Sequence, residues 1–240
     1  MTATNTFLPV KYLLIGSGRV ARHLGHYFNL LNINFSTWDR AQDPHLLPKK
    51  INESSHILLA ISDSALEGFF AKHLAGHEKT VVHFSGAKDI EGLICAHPLM
   101  TFGPDLYDLS FYQRIHFTVT GATSLSRALP GIPNPFSLLS ADKKALYHAW
   151  CVMGGNFVTL LTAKMMTSLQ EMGIPAESIG LYSEKVIDNA LAQQTAALTG
   201  PLARKDAETV AANLKALEGQ EMQKIYQAFL ETYWPEYPRK

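Results

Sequence analysis

Lys11-Tyr12-Leu13-Leu14-Ile15-Gly16-Ser17-Gly18-Arg19-Val20-Ala21 joins an apolar run to G-x-G-x-x-A, and an amphipathic segment follows from Arg19 to Leu31. A short apolar run bounded by glycine reads as a buried β-strand, and the apolar spacing after it reads as a helix. Strand, glycine turn and helix in that order form the dinucleotide-binding fingerprint. In it Gly16 makes the tight turn and Gly18 lets backbone approach a pyrophosphate. Ala21 lets the helix pack closely on the strand. The amides of Ser17, Gly18, Arg19 and Val20 then open the helix, where its dipole favours negative charge.

Working outward, a second strand is expected over residues 33–38, ending in Asp39-Arg40. Asp39 lies 23 positions after Gly16, close to the offset of a ribose-binding acid. An acid there accepts bonds from ribose hydroxyls, which suits NAD. An arginine beside it can pair with a 2′-phosphate, which suits NADP. Further strands are expected at 56–61, 80–84, 93–96 and 115–120, with a helix over 64–75 between the first two of these. Such alternation predicts an α/β fold, a doubly wound, mostly parallel sheet of the Rossmann type.

The texture changes at Pro130-Gly131-Ile132-Pro133-Asn134-Pro135, which reads as a linker or bend. Beyond it strand signals vanish. Helices are expected over 141–173, disturbed at Gly154-Gly155, then over 176–198, 207–218 with Asp206 as N-cap, and 220–233. The chain is therefore read as a Rossmann domain over 1–138 and an all-helical domain over 139–240.

The 240 residues are 47% apolar and 18% charged, which suits a globular protein with a real core. Lys+Arg and Asp+Glu both number 21, leaving no basic footprint for nucleic acid and no polybasic membrane patch. The two cysteines, Cys95 and Cys151, have no metal-type spacing, and no metal site is expected. The N-terminus lacks a signal-peptide pattern and no run is long enough to span a membrane, so a reduced, cytoplasmic location is expected.

In open α/β sheets ligands bind beyond the carboxyl ends of the strands. The third strand is followed by Ile61-Ser62-Asp63, the fourth by Ser85-Gly86-Ala87, and the fifth runs into His97-Pro98. Ile61 and Ser62 could line a cofactor. Ser62, Asp63 and Ser85 are equally good turn and N-cap residues. His97 suits general acid–base work, although most of ten histidines must be bystanders. His83 reads as a core histidine and His148 as packing between domains. Asn156 follows two mid-helix glycines, whose cost of roughly 1 kcal/mol each suggests close approach of a ligand or of other backbone. No lysine–tyrosine or cysteine nucleophile arrangement stands out.

At these residues the chain resembles the Rossmann-like proteins with a C-terminal helical domain of unknown function, the DUF2520 type. They are relatives of deazaflavin-dependent NADP reductases, pyrroline-5-carboxylate reductases and 3-hydroxyacid dehydrogenases. Gly16-Ser17-Gly18-Arg19-Val20-Ala21, His83-Phe84-Ser85-Gly86-Ala87 and His97-Pro98-Leu99-Met100-Thr101-Phe102 carry the resemblance. So do Asn156 and Leu198-Thr199-Gly200-Pro201 with Arg204-Lys205-Asp206. The family usually has glycine where Lys205 stands. The resemblance implies NAD(P)-linked redox chemistry, a site between domains and a homodimer through the helical domain. The arginine it shares at position 40 tilts the cofactor toward NADP. Ser85, His97 and Asn156 are then the candidate catalytic residues, facing the nicotinamide. The substrate would be a small carbonyl, imine or deazaflavin partner. The competing reading is a non-catalytic NAD(P)-binding sensor or scaffold.

Overall fold

A computed structural model describes residues 10–237. The segment on which the missing signal-peptide pattern rests includes residues 1–9, which lie outside that range. Seven strands form one sheet: β1 (Tyr12–Ile15), β2 (Phe35–Trp38), β3 (His56–Leu59), β4 (Thr80–His83), β5 (Ile94–Pro98), β6 (Phe117–Thr120) and β7 (Phe136–Leu138). Their order is β2-β1-β3-β4-β5-β6-β7. The fold is α/β, a Rossmann-type sheet followed by a helical C-terminal region.

Each residue of β1 is buried, and alternate side chains feed opposite layers. Tyr12 and Leu14 join the layer of α1 (Arg19–Leu30) through Leu24, Tyr27 and Phe28. Leu13 and Ile15 join Leu47 and Ile51 of α2 (Leu46–Glu53) and Leu66 of α3 (Asp63–His73) on the other face. That two-sided burial explains why the strand is an unbroken apolar run rather than an alternating one. At about 1.5–3 kcal/mol per buried aliphatic side chain, β1 is a principal anchor of the sheet.

The sheet is mostly parallel, as expected, with β5 and β6 its antiparallel pair. One expectation needs correction: strands do not end at the proline cluster, since β7 follows it and pairs parallel with β6 at Phe117–Phe136, Thr118–Ser137 and Val119–Leu138. β7 has three exposed residues at the sheet edge, where prolines just before a strand cost no ladder bond. Buried Asn134 ties the proline segment down. Its Nδ2 donates to Tyr112 O at 2.7 Å and Ile115 O at 2.9 Å, while Tyr27 Oη donates to its Oδ1 at 2.6 Å.

Between β5 and β7 lie α4 (Leu109–Arg114) and α5 (Leu125–Ala128). After β7 come α6 (Lys144–Cys151), a π-helical turn over Val152–Phe157, and α7 (Val158–Glu171). The glycines 154 and 155 sit in that π turn. A Cβ on either would meet no other described atom of the chain within 4 Å, so packing of the chain on itself does not account for them. The local i→i+5 bonding marks the disturbance read from the sequence. α8 (Ala176–Gln193) and α9 (Gly200–Arg204) follow, then α10 (Ala207–Ala216) and α11 (Met222–Tyr233). Asp206 caps α10 by accepting from Thr209 N at 3.0 Å. Lys205 takes the left-handed conformation (φ 52°) that closes α9, a place where glycine would be unstrained.

The chain divides into two compact units after Thr159, later than the division expected after residue 138. The reason is α6, whose Lys144 and Tyr147 bond to groups on β5 and the loop after β4. The second unit holds a small core of Val210, Leu230 and Trp234.

Candidate functional site

β1 pairs β2 on one side and β3 on the other, so the strand order reverses direction between β1 and β3. At the carboxyl end of that switch point lies a cavity of about 630 Å³. Its lining includes Gly16, Ser17, Gly18, Arg19 and Val20 from the first turn, Asp39 and Arg40 after β2, Ile61 and Ser62 after β3, and Ser85 after β4. The structure thus brings these expected residues around one space. Ala21 does not line it. It is 5% exposed and packs in the core against the sheet.

The two glycines differ in what they permit. Gly16 has φ +126°, and a Cβ there would overlap the Ala60 carbonyl oxygen, so the fold itself demands glycine. Gly18 has φ −72° and ψ −176°, open to any residue, and a Cβ there would meet nothing within 4 Å. Protein packing does not explain Gly18; the space in front of it does. It is the N-cap of α1 and has no side chain to bond the first amides of that helix. A pyrophosphate suits those donors and the helix dipole.

At the far end, Asp39 Oδ1 accepts from Ala41 N at 2.8 Å. Among the described residues its Oδ2 has no hydrogen-bond partner. Arg40 beside it is exposed. Ser62 is the N-cap of α3, and Asp63 lies in its first turn. Asp63 Oδ2 also accepts from Ser85 Oγ at 2.7 Å. Ser85 Oγ in turn accepts from Lys88 N at 3.0 Å and Ala87 N at 3.3 Å. The hydroxyl is fully engaged in shaping the turn after β4.

Beyond Ser85 lies a cluster of buried polar groups. His97 on β5 meets Tyr147 Oη through Nδ1 at 2.9 Å. Its Nε2 would lie 3.0 Å from a Cβ on Gly86, and His148 Nδ1 2.5 Å from the same point. The His97 and His148 rings stand perpendicular, 6.3 Å apart. Burial, then His148, then the Lys144 charge push His97 down to about 4, so its imidazole is neutral at pH 7. His83 is 1% exposed and is likewise pushed to about 4 by burial and then Lys144. Its Nδ1 accepts from Ser85 N at 3.3 Å, as befits a core histidine.

Sequence reading missed Lys144 and Tyr147. Lys144 is 2% exposed and its Nζ donates to Cys95 Sγ at 2.9 Å and Ser85 O at 3.3 Å. The available signal was the spacing Lys144, Tyr147, His148, Cys151, which sets one polar, titratable stripe along α6. Asn156 is exposed in the π turn, and no hydrogen bond joins it to His97 or Ser85 among the described residues. Also among the described residues, no group of three or more His, Cys, Asp or Glu is placed to hold a metal. No helix there is long and apolar enough to cross a membrane.

Comparison with known proteins follows from this geometry. A family profile for a domain of unknown function, DUF2520, matches residues 118–232. That match covers just under half of the chain, from β6 to α11. No curated protein matches its sequence. A Bacteroides fragilis protein described as a candidate NADP oxidoreductase is 19% identical with a TM-score of 0.76, over 93% of this chain and 97% of that one. An imine reductase from Myxococcus stipitatus, solved with NAD+, is 17% identical with a TM-score of 0.60, over 96% of each chain. A pyrroline carboxylate reductase from Plasmodium falciparum, solved with NADP, is 11% identical with a TM-score of 0.58, over 95% of this chain and 97% of that one. At such identities the chain shares a fold with them, and its site has to be argued from its own residues.

Proposed function

We propose that this protein is an NAD(P)-dependent oxidoreductase, with NADP favoured, acting on a small carbonyl, imine or deazaflavin partner. The observation that carries the reading is Gly18. It is a glycine that neither backbone nor packing requires, facing a cavity that runs from Asp39-Arg40 to Ser85. The pyrophosphate would lie against the amides of Ser17 and Gly18, the adenosine ribose by Asp39, and the nicotinamide end by Ser85. Three similar folds, described in terms of NADP oxidoreduction or solved with NAD+ or NADP, favour the same cofactor class. When bound, the cofactor supplies the hydride.

The chain's own residues bind, orient and handle the proton. Ser85 holds the turn that carries Gly86. His97, neutral at pH 7, donates or accepts at Nε2, the nitrogen on the side of Gly86. Neutral imidazole polarises a carbonyl effectively in other enzymes. Asn156 is retained as a substrate-positioning residue.

A homodimer through the helical region is part of the same proposal. α7 has no buried residue, and α8 buries only Ile179. Leu160, Leu181 and Leu191 are 67%, 69% and 81% exposed. An apolar face of that kind marks an interaction surface, and a second copy would give the helices the core that one copy lacks. We place the protein in the cytoplasm on the same terms, with Cys95 and Cys151 both free.

The test is NADPH binding by fluorescence, then loss of absorbance at the nicotinamide band against a panel of carbonyls and imines. Binding with turnover supports the enzyme. Binding without turnover on any of the panel favours the sensor reading. Absence of binding overturns both.

A further inference from the structure

Among the described residues His97 is hydrogen-bonded through one ring nitrogen only. Nδ1 meets Tyr147 Oη at 2.9 Å, and the two rings pack edge to face, 5.6 Å apart at 84°. Nε2 has no hydrogen-bond partner among the described residues, and it is not sealed off. His148 Nδ1 is the fully buried side-chain nitrogen without a partner there. Gly86, which carries no side chain, lies against Nε2, and the preceding residue Ser85 lines the cofactor cavity. His97 is thus held by Nδ1, and its Nε2 lies against Gly86, next in sequence to the cavity-lining Ser85.

A neutral imidazole carries one proton, and the nitrogen that accepts a hydrogen bond leaves it on the other. We propose that Tyr147 is a positioning residue whose phenol donates to His97 Nδ1, fixing the proton on Nε2, where it is offered to a carbonyl oxygen of the substrate. This rests on the reductase reading above and narrows its substrate class.

Two features make this direction available. Burial raises the Tyr147 phenol to about 12, so it keeps a proton that it can donate to Nδ1, 2.9 Å away, while Thr118 and Cys151 also face it. His97 is held neutral, so one ring nitrogen carries a lone pair, and with Nδ1 as that acceptor the ring proton sits on Nε2, which has no protein partner among the described residues. The groups facing the ring are His148 and Lys144 from α6, His83 from β4 and Asp63 from α3. Lys144 has no carboxylate within 4 Å among the described residues; its acceptors are a carbonyl and a thiol. An N–H donor beside that positive charge suits the lone pair of a carbonyl oxygen and repels a protonated iminium.

In a reduction the hydride adds to the carbonyl carbon and the C=O π bond becomes an alkoxide. The Nε2 proton passes to that oxygen. Nε2 then regains a proton from solvent while Tyr147 keeps its own and holds Nδ1 as an acceptor, so the imidazole returns to its starting tautomer. The nicotinamide is the group oxidised, so electrons balance without a further reagent.

The test uses the full chain labelled with 15N-histidine. Long-range 1H–15N spectra at pH 7 report which His97 nitrogen bears the proton. The expected result is protonated Nε2 in the wild type, and in Tyr147→Phe a shift to a mixture of tautomers, with NADPH affinity unchanged. Wild-type His97 protonated at Nδ1 would overturn the proposal, as would an unchanged tautomer in Tyr147→Phe. The wild-type spectrum alone decides the direction if the variant does not fold. Failure of NADPH to bind the wild type would defeat the reductase reading while leaving the tautomer result standing on its own.

Discussion

Gly18→Val is the perturbation that separates fold from ligand most cleanly. Gly18 has extended backbone angles that valine adopts readily, and its Cβ position is empty of neighbours. As an N-cap, glycine has no side-chain bond to lose, so the cost in stability should stay under about 1 kcal/mol. The valine methyls would fill the space where a pyrophosphate approaches the amides. Losing one or two charge-assisted hydrogen bonds costs about 1.5–3 kcal/mol each, so NADPH affinity should fall at least about tenfold and by as much as about 10⁴-fold. Gly16→Ala is the control with the opposite signature. Its φ of +126° and the overlap with Ala60 O should destabilise the fold by roughly 3 kcal/mol or more, whatever the ligand. Urea unfolding gives the stability and NADPH fluorescence gives the affinity. If Gly18→Val binds NADPH as tightly as the wild type, the phosphate site is wrongly placed.

The other predictions concern choice of cofactor, chemistry, packing and pH. Arg40→Ala should weaken NADPH about ten- to a hundredfold and spare NADH, measured by parallel titrations; equal loss of both would count against a 2′-phosphate contact. His97→Gln should lower turnover by about 10²–10⁴-fold once a substrate is found, with cofactor affinity nearly unchanged. Asn134→Ala should cost about 3 kcal/mol in urea unfolding, because three buried hydrogen bonds lose their common partner. A loss below 1 kcal/mol would mean water replaces them. For pH, His83 and His97 are held at about 4 in the folded chain against an ordinary 6.5. The unfolded chain then binds more protons between those values, so stability is complete above pH 6.5 and declines as pH falls to about 4. For almost fully buried His83 alone the loss is on the order of 3 kcal/mol. A urea midpoint that stays level from pH 7 to 4 would refute the buried neutral pair.

The glycine turn and the first six strands were legible because local pattern carries them. Both faces of β1 are buried, so its apolar run is continuous, and Gly16 and Gly18 mark the turn whatever the tertiary contacts. β7 was not legible, since three exposed residues after Pro-Asn-Pro have no apolar signature and depend on pairing with Phe117–Val119. Lys144 was missed for a related reason. Lysine is read as solvated, and only the fold puts its amine against Cys95 and Ser85 O. The Tyr147–His97 contact joins residues 50 positions apart, beyond the reach of any spacing argument. Asn156 stood out because of its neighbouring glycines, yet their π turn marks a local change of helix geometry rather than a packed contact.

The central claim is that the cavity between β1 and β3 holds a nicotinamide dinucleotide. A crystal structure of the full chain with NADP+ tests it most directly. The account predicts the pyrophosphate against the amides of Ser17 and Gly18, the 2′-phosphate by Arg40, and the nicotinamide beside Ser85 within reach of His97 Nε2. Density for the nucleotide elsewhere, or none in this cavity at saturating NADP+, would contradict it.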